Sequence, residues 1–252
     1  MSQLKHTFIF AHRGANKEAA ENTRTAFDRA LNYAIDGMET DIQLSRDGVA
    51  VLWHDRFLGK LGYPEKHIDD FEYSQLQAMN FAQHFSPDAQ AEGIVRLYDY
   101  LDAYRKRTRL LLEIKNREWE SIERQHNKIQ QTLDMVGKVS DERIIISSFN
   151  LDSLIYAQQC RRGVPLVYNF EEEQTLEDAK QILATHSFLH GLCLPIVRLD
   201  AAMVDFLRSK KKSIAVYTCN SDDEINTALQ LGVDILISDV PQKALHMRDE
   251  QQ

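Results

Sequence analysis

The chain reads as a (β/α)8 TIM-type barrel carrying a small insertion after a hairpin on its second strand. Three observations predict this. Short apolar runs of strand length alternate with amphipathic helical stretches along nearly all of the 252 residues. One connection, Leu44 to Val49, is too short for a parallel crossover and must be a hairpin turning at Arg46-Asp47-Gly48. Setting that antiparallel return aside leaves eight parallel strands, and eight β/α units in roughly 250 residues is the size of such a barrel. A doubly wound open sheet is the alternative, but no glycine-rich fingerprint is visible.

The expected strands, in order, are Phe8–Ala11, Met38–Leu44, Val49–Trp53, Leu110–Lys115, Ile144–Ser148, Leu166–Asn169, Gly191–Leu194, Ile214–Thr218 and Ile235–Ile237. Most carry β-branched or aromatic residues. Between most of them lies a helical stripe. Thr23–Ile35 carries Ala26, Phe27, Ala30, Leu31 and Ala34 on one face and opens with an Asn22-Thr23 cap. Trp119–Val136, Leu151–Gln159, Thr175–Ala184, Ala201–Leu207 and Asp222–Leu231 follow the same pattern, the last closed by Gly232. Residues Arg56 to Arg96 break the alternation. This stretch holds Phe57, Tyr63, Phe71, Tyr73, Phe81 and Phe85 and leaves the hairpin just after His54. It is expected either to cover the barrel mouth and select substrate, or to form a stabilising pad with its own small core. The chain is thus expected to be one domain, 1–252, with an insertion at about 56–96.

Composition bounds the rest. Apolar residues make up 43%, enough for a full core, and the formal net charge is −8. An acidic chain argues against nucleic-acid binding but leaves an anionic small substrate open, because a local cation can override net charge. Met1 to Phe10 lacks the long apolar stretch and cleavage site of a signal peptide, and no apolar run is long enough to span a membrane. Cys160, Cys193 and Cys219 are far apart and odd in number, which fits a reducing, cytoplasmic setting.

The chemistry concentrates at expected strand ends. Glu39 and Asp41 are two apart, so a strand puts both carboxylates on one face. Glu113 and Lys115 repeat the spacing on the next parallel strand. Three carboxylates facing one barrel mouth repel each other without a cation, and hard oxygen ligands favour Mg2+ or Ca2+ over zinc. His12 ends the first strand beside the second. The hairpin brings His54 near Glu39 and Asp41, with residue 39 facing about residue 54. Two histidines flanking a metal can divide acid and base work, each transfer typically worth about 10² to 10⁴ in rate. Arg13 and Lys115 would hold non-bridging phosphate oxygens. The blander alternatives are a solvated strand end for the Glu-x-Asp pair and simple charge balance for the cations. The other histidines, His6, His67, His84, His126, His186, His190 and His246, are read as structural. A glycosidase is disfavoured because Glu39 and Asp41 share one strand and leave no partner across a sugar.

The segments HRGANKEAAENT from His12, METDIQLSRDG from Met38, VLWHD from Val51, LLLEIK from Leu110, SSF from Ser147 and YTCNSDDEINTALQLGVDILISDVP from Tyr217 together resemble the glycerophosphodiester phosphodiesterase family. The match runs in order from about His6 to Pro241. The resemblance implies the (β/α)8 barrel and metal-dependent hydrolysis of glycerophosphodiesters, a small-molecule substrate, to an alcohol and glycerol 3-phosphate. It implies Glu39, Asp41 and Glu113 as metal ligands, His12 and His54 as the acid/base pair, and Arg13 and Lys115 near the phosphate. Phe149 and Tyr217 match aromatic positions on the substrate side. The chain departs from the family pattern in HDRFLGKLG after the second histidine, where a threonine pair is usual. Ala20 stands for a proline before ENT, and Tyr217 for a tryptophan. The first departure lies at the insertion and bears on substrate choice. Two alternatives follow: a phospholipase D-type hydrolase of lysophospholipids or sphingolipids, and a non-catalytic barrel that binds phosphodiesters. Which histidine acts first, whether water or a glycerol hydroxyl attacks, and the oligomeric state are left open by the residues.

Overall fold

The computed structural model describes residues 6–86, 88–137, 143–160 and 163–251. Residues 1–5, part of the stretch used to argue against a leader, lie outside them. β1 (Phe8–His12) and α1 (Arg24–Leu31) lead into β2 (Gly37–Leu44), which lies parallel to β1 with His12 opposite Glu39. β3 (Ala50–Leu52) folds back antiparallel on the end of β2. After α2 (Tyr73–Ala78) and α3 (Leu97–Tyr104), β4 (Arg109–Ile114) pairs with the other side of β2. The alternation is then regular through α4 (Ile122–Val136), β5 (Ile144–Ser148), α5 (Leu151–Cys160), β6 (Leu166–Asn169), α6 (Leu176–Thr185), β7 (Gly191–Pro195), α7 (Ala201–Ser209), β8 (Ser213–Tyr217), α8 (Asp222–Gln230), β9 (Ile235–Ser238) and α9 (Pro241–Asp249). β9 pairs with β1 and closes the parallel barrel.

Strand periodicity divides the core. Ile9 and Ala11 of β1 face the helices, while Phe10 points into the barrel with Leu111, Ile145, Val167, Cys193, Ala215, Ile235 and Ile237. Gly37 is there to admit Phe10, since a Cβ at this position would lie 2.4 Å from the Phe10 ring. This packed interior closes the barrel below the polar residues at its C-terminal mouth. The loop after β1 turns sharply there. Arg13 (φ 58°) and Gly14 (φ 83°) are both left-handed, and a Cβ on Gly14 would meet the Ala26 carbonyl carbon at 2.6 Å.

Each expected strand is found, with ends shifted by at most one residue. Four details differ. The hairpin pairs Ile42 with Leu52, so Thr40, not Glu39, projects opposite His54. Gly48, with φ 80°, ends a three-residue loop closed by the Ser45 amide on the Val49 carbonyl, and the extra residue shifts the register by one. Helix α1 stops at Leu31 rather than Ile35, because Ala34 turns left-handed (φ 54°) to enter β2. Helices α3 and α9 were not expected. The first has a clear stripe, Leu97, Tyr100, Leu101 and Tyr104, hidden behind an insertion read as ending at Arg96. The second buries only Pro241, Ala244 and Leu245, too little to stand out.

The insertion sits inside the second β/α unit, between β3 and α3. It forms its own core, Leu58, Leu61, Ile68, Leu76, Phe81 and Ile94, against Val51 and Trp53 of the hairpin. One edge also reaches the barrel mouth, where Lys60, His84 and Phe85 line a cavity together with His12 and Arg13. The segment thus has a small core of its own and one edge at the barrel mouth.

Candidate active site

The three expected ligands converge. Asp41 and Glu113 are register partners on β2 and β4, and Glu39, Asp41 and Glu113 offer carboxylate oxygens that all lie within 4.8 Å of one another. All three are buried. Two cations hold the cluster together. Lys115 Nζ lies 2.6 Å from Glu113 Oε1 and 3.2 Å from Asp41 Oδ1. Arg13 Nε lies 3.1 Å from Asp41 Oδ2 while its Nη1 donates to Glu21 Oε2 at 2.9 Å. Asn22, itself left-handed (φ 58°), donates from Nδ2 to Asp41 Oδ2 and accepts from Thr40 Oγ1.

These contacts divide the carboxylates electrically. Burial would raise Asp41, but Lys115 and Arg13 outweigh it and hold the carboxyl well below its ordinary range. Glu39 goes the other way. Burial, then the charge of Asp41, pushes it well above the usual carboxylate range. Asp41 Oδ1 and Glu113 Oε1 are met by Lys115, but neither Glu39 oxygen finds a hydrogen-bond partner among the described residues. A buried carboxylate left so must bind a proton or a cation. The donor set, three oxygen ligands and no thiolate, suits a hard divalent ion such as Mg2+ or Ca2+.

His12 stands at the rim, its Nε2 3.8 Å from Glu39 Oε2. Its Nδ1 lies 2.6 Å from Asp239 Oδ1, one residue past the end of β9. Asp239 is fixed in turn by Asn16 Nδ2 at 2.5 Å and Asn220 Nδ2 at 2.9 Å. With its proton on Nδ1, a neutral His12 donates to Asp239 and presents the Nε2 lone pair to the site. Burial, then Arg13, lowers the His12 pKa and favours that neutral form. His54 is held similarly, Nδ1 to Asp55 Oδ1 at 2.9 Å, and Lys60 ties Asp55 (3.0 Å) to Glu21 (2.7 Å). Phe149 and Tyr217 meet edge to face at 5.9 Å, and Lys115 Nζ lies 5.5 Å from the Phe149 ring centroid.

All of these expected residues but Asp41 line one cavity of about 160 Å³: His12, Arg13, Glu39, His54, Glu113, Lys115, Phe149 and Tyr217. Asp41 lies directly behind it, bridged by Arg13 and Lys115. A larger cavity of about 580 Å³ opens around Phe8, Arg109 and Lys211 at the opposite end of the barrel. Its Asp234 is committed to Arg208 at 2.6 Å, and it holds none of the residues above. Sequence reasoning missed Asp239, Asp55, Glu21 and Asn22, which hold the expected groups from behind. Asp239 had a usable signal, a carboxylate just past a barrel strand at the C-terminal face.

Comparison with known proteins points to one family. The family model described as "Glycerophosphoryl diester phosphodiesterase family" matches residues 12–243. A glycerophosphodiester phosphodiesterase of Bacillus altitudinis is 28% identical over 251 residues, covering 97% of this chain and 99% of the relative. A mouse lysophospholipase D is 36% identical over 124 residues, covering 47% of this chain and 38% of the relative. A phosphodiesterase of Oleispira antarctica, solved with the product sn-glycerol-3-phosphate, superposes with a TM-score of 0.86 at 24% identity and covers 96% of each chain.

Proposed function

The chain belongs to the glycerophosphoryl diester phosphodiesterase family, a family of hydrolases, and from that premise we propose that its barrel mouth cleaves glycerophosphodiesters to an alcohol and glycerol 3-phosphate, using one divalent cation and two histidines. The observation that carries this reading is the shared cavity. Two histidines, two cations and two of three clustered carboxylates line a single space of about 160 Å³. A site that only bound a phosphodiester has no use for two proton-transfer groups.

Glu39, Asp41 and Glu113 would hold the cation, Mg2+ or Ca2+, which when bound supplies Lewis-acid polarisation of a phosphoryl oxygen. The other residues act on their own account. Arg13, locked between Glu21 and Asp41, presents a fixed guanidinium to non-bridging phosphate oxygens, and Lys115 adds a second positive charge. His12 and His54 exchange the protons that the attacking group loses and the leaving alkoxide gains. Asp239 and Asp55 fix their rings. Phe149 and Tyr217 wall the substrate side. The insertion, taken as part of one catalytic domain, completes the rim through Lys60.

The likeness to the mouse lysophospholipase D raises a second reading, action on lysophospholipids. The insertion gives it little support. Phe57 stacks on His67, His67 on Trp119, and Tyr63 edges onto Phe71, so these rings are engaged with one another. Among the described residues, no helix is long and apolar enough to cross a membrane.

The test is release of glycerol 3-phosphate from a panel of water-soluble glycerophosphodiesters and from micellar lysophospholipid, by the wild type and by His12→Ala and His54→Ala. Turnover of the soluble diesters, lost in both folded variants, is the expected result. Turnover confined to the micellar substrate would favour the second reading, and near-normal rates in either variant would remove that histidine from the mechanism.

A further inference from the structure

Resting on the function proposed above, we infer that the leaving alcohol occupies a second cavity on the outer side of His12 and Arg13. This cavity selects a hydroxyl-bearing head group, such as glycerol or inositol, over a quaternary ammonium such as choline.

Space is the first argument. The inner cavity of about 160 Å³ is well below the ~300 Å³ at which pockets begin to enclose a whole drug-sized ligand. It takes one half of a diester, and the other half needs a place of its own. A second cavity of about 300 Å³ adjoins it, and the two share His12 and Arg13 as a common wall. A diester with its phosphate at that wall spans both.

The lining of the outer cavity is the second argument. The loop after β1 contributes Asn16, Lys17 and Glu21, the loop after β9 contributes Asp239, and the insertion contributes Lys60 and Phe85. Both carboxylates already have partners. Glu21 accepts from Arg13 and Lys60, at 2.9 and 2.7 Å. Asp239 is met by His12 and Asn16, with Lys17 Nζ 3.5 Å from its other oxygen. A cationic head group therefore meets two ammonium groups and no uncommitted negative charge. Nor do aromatic rings surround it. A quaternary ammonium is recognised by a cage of rings, and this wall offers Phe85 beside the His84 imidazole. A polyol finds the reverse. Its hydroxyls can accept from Lys17 and Lys60, both of which line this cavity. The departure from the family pattern after His54 falls in this same wall, in the turn that carries Lys60.

The experiment compares kcat/KM for glycerophosphoglycerol, glycerophosphoinositol and glycerophosphocholine, in the wild type and in Lys17→Met and Lys60→Met. The polyol diesters are expected to exceed the choline diester by roughly tenfold or more, the scale of one hydrogen bond to a charged group. Each variant is expected to shrink that ratio severalfold. The ratio cancels any damage to catalysis common to all three substrates, including what Lys60→Met does through Asp55. Equal or better turnover of the choline diester overturns the inference, as does a ratio unchanged in both variants. No turnover of any of the three overturns the proposed function itself, and this inference with it, a result distinct from turnover without selection.

Discussion

Asp239 Oδ1 lies 2.6 Å from His12 Nδ1, and two asparagines hold the carboxylate in that position. The pair joins the first strand of the barrel to the last, across 227 residues of sequence. Burial would raise the Asp239 pKa, but its hydrogen bonds with His12 and Asn16 and the charge of Lys17 hold it well below the carboxylate range, so it stays a negative acceptor. Asp239→Asn replaces that acceptor with an amide that can donate, which reverses the ring's tautomer preference. The expected result is a fall in kcat of about 10² to 10⁴ with KM nearly unchanged and the thermal midpoint within a few degrees. A parallel rise in KM with full kcat would place Asp239 in binding rather than in orienting His12.

A second buried pair supports the site from below. Lys128 Nζ, completely buried on α4, donates to Glu120 Oε2 at 2.7 Å and to the carbonyl of Lys115 at 2.5 Å. Burial pushes the Lys128 pKa down to about 8 despite Glu120 beside it. Lys128→Met takes the nearest cation from the Glu120 carboxylate, leaving it Arg124 at 3.5 Å and the Arg117 amide at 2.8 Å, and is expected to destabilise the fold by about 3 kcal/mol in urea unfolding. Adding Glu120→Gln is expected to return most of that loss. A single variant as stable as wild type would mean that water enters this pocket readily.

Acid stability follows from the carboxylates that the site depresses. Asp55 is held at about 2 against an ordinary 3.8, because its hydrogen bonds with His54 and Lys60 outweigh its partial burial. A carboxylate lowered by folding contributes stability that is fully present above pH 3.8 and is lost as pH falls towards about 2. Unfolding free energies measured between about pH 5 and pH 2 should therefore fall less steeply for Asp55→Asn than for wild type. Parallel slopes would show that Asp55 is not ionically coupled to Lys60 and His54 in the folded protein.

The sequence carried the barrel well for a physical reason. Residues such as Phe10, Leu111 and Val167 must be apolar to fill its interior, and strand periodicity exposes them without any knowledge of neighbours. The front of the site was legible on the same basis, because Glu39 and Asp41 are spaced two apart on β2, and Glu113 and Lys115 flank Ile114 at the end of β4. Its support was not. Asp239 reaches His12, and Asn22 reaches Asp41, only once the barrel closes and the loop after β1 turns back through Arg13 and Gly14. The hairpin register failed by one residue because a left-handed Gly48 adds a residue to the loop, a choice that an Asp-Gly pair leaves open. Helix α3 follows directly on the insertion, and its eight residues hold the apolar stripe for only about two turns.

Head-group selection offers a check on the insertion independent of the barrel. Lys60 reaches both Glu21 and Asp55, so Lys60→Met is expected to alter the preference among alcohols more than the affinity for glycerol 3-phosphate. Product inhibition constants that stay within about threefold of wild type, alongside a changed substrate ratio, would separate the two halves of the site.

The central claim is that Glu39, buried beside Asp41 and Glu113 with neither oxygen hydrogen-bonded among the described residues, is there to hold a cation. The most direct measurement is glycerol 3-phosphate release after exhaustive treatment with EDTA, then with Mg2+ or Ca2+ restored, for wild type and Glu39→Gln. Wild-type turnover should drop by at least about 100-fold in EDTA and return with one of the two ions, while Glu39→Gln stays inactive at concentrations that saturate wild type. Full activity in EDTA, or a Glu39→Gln variant that works as well as wild type without added metal, would contradict the account.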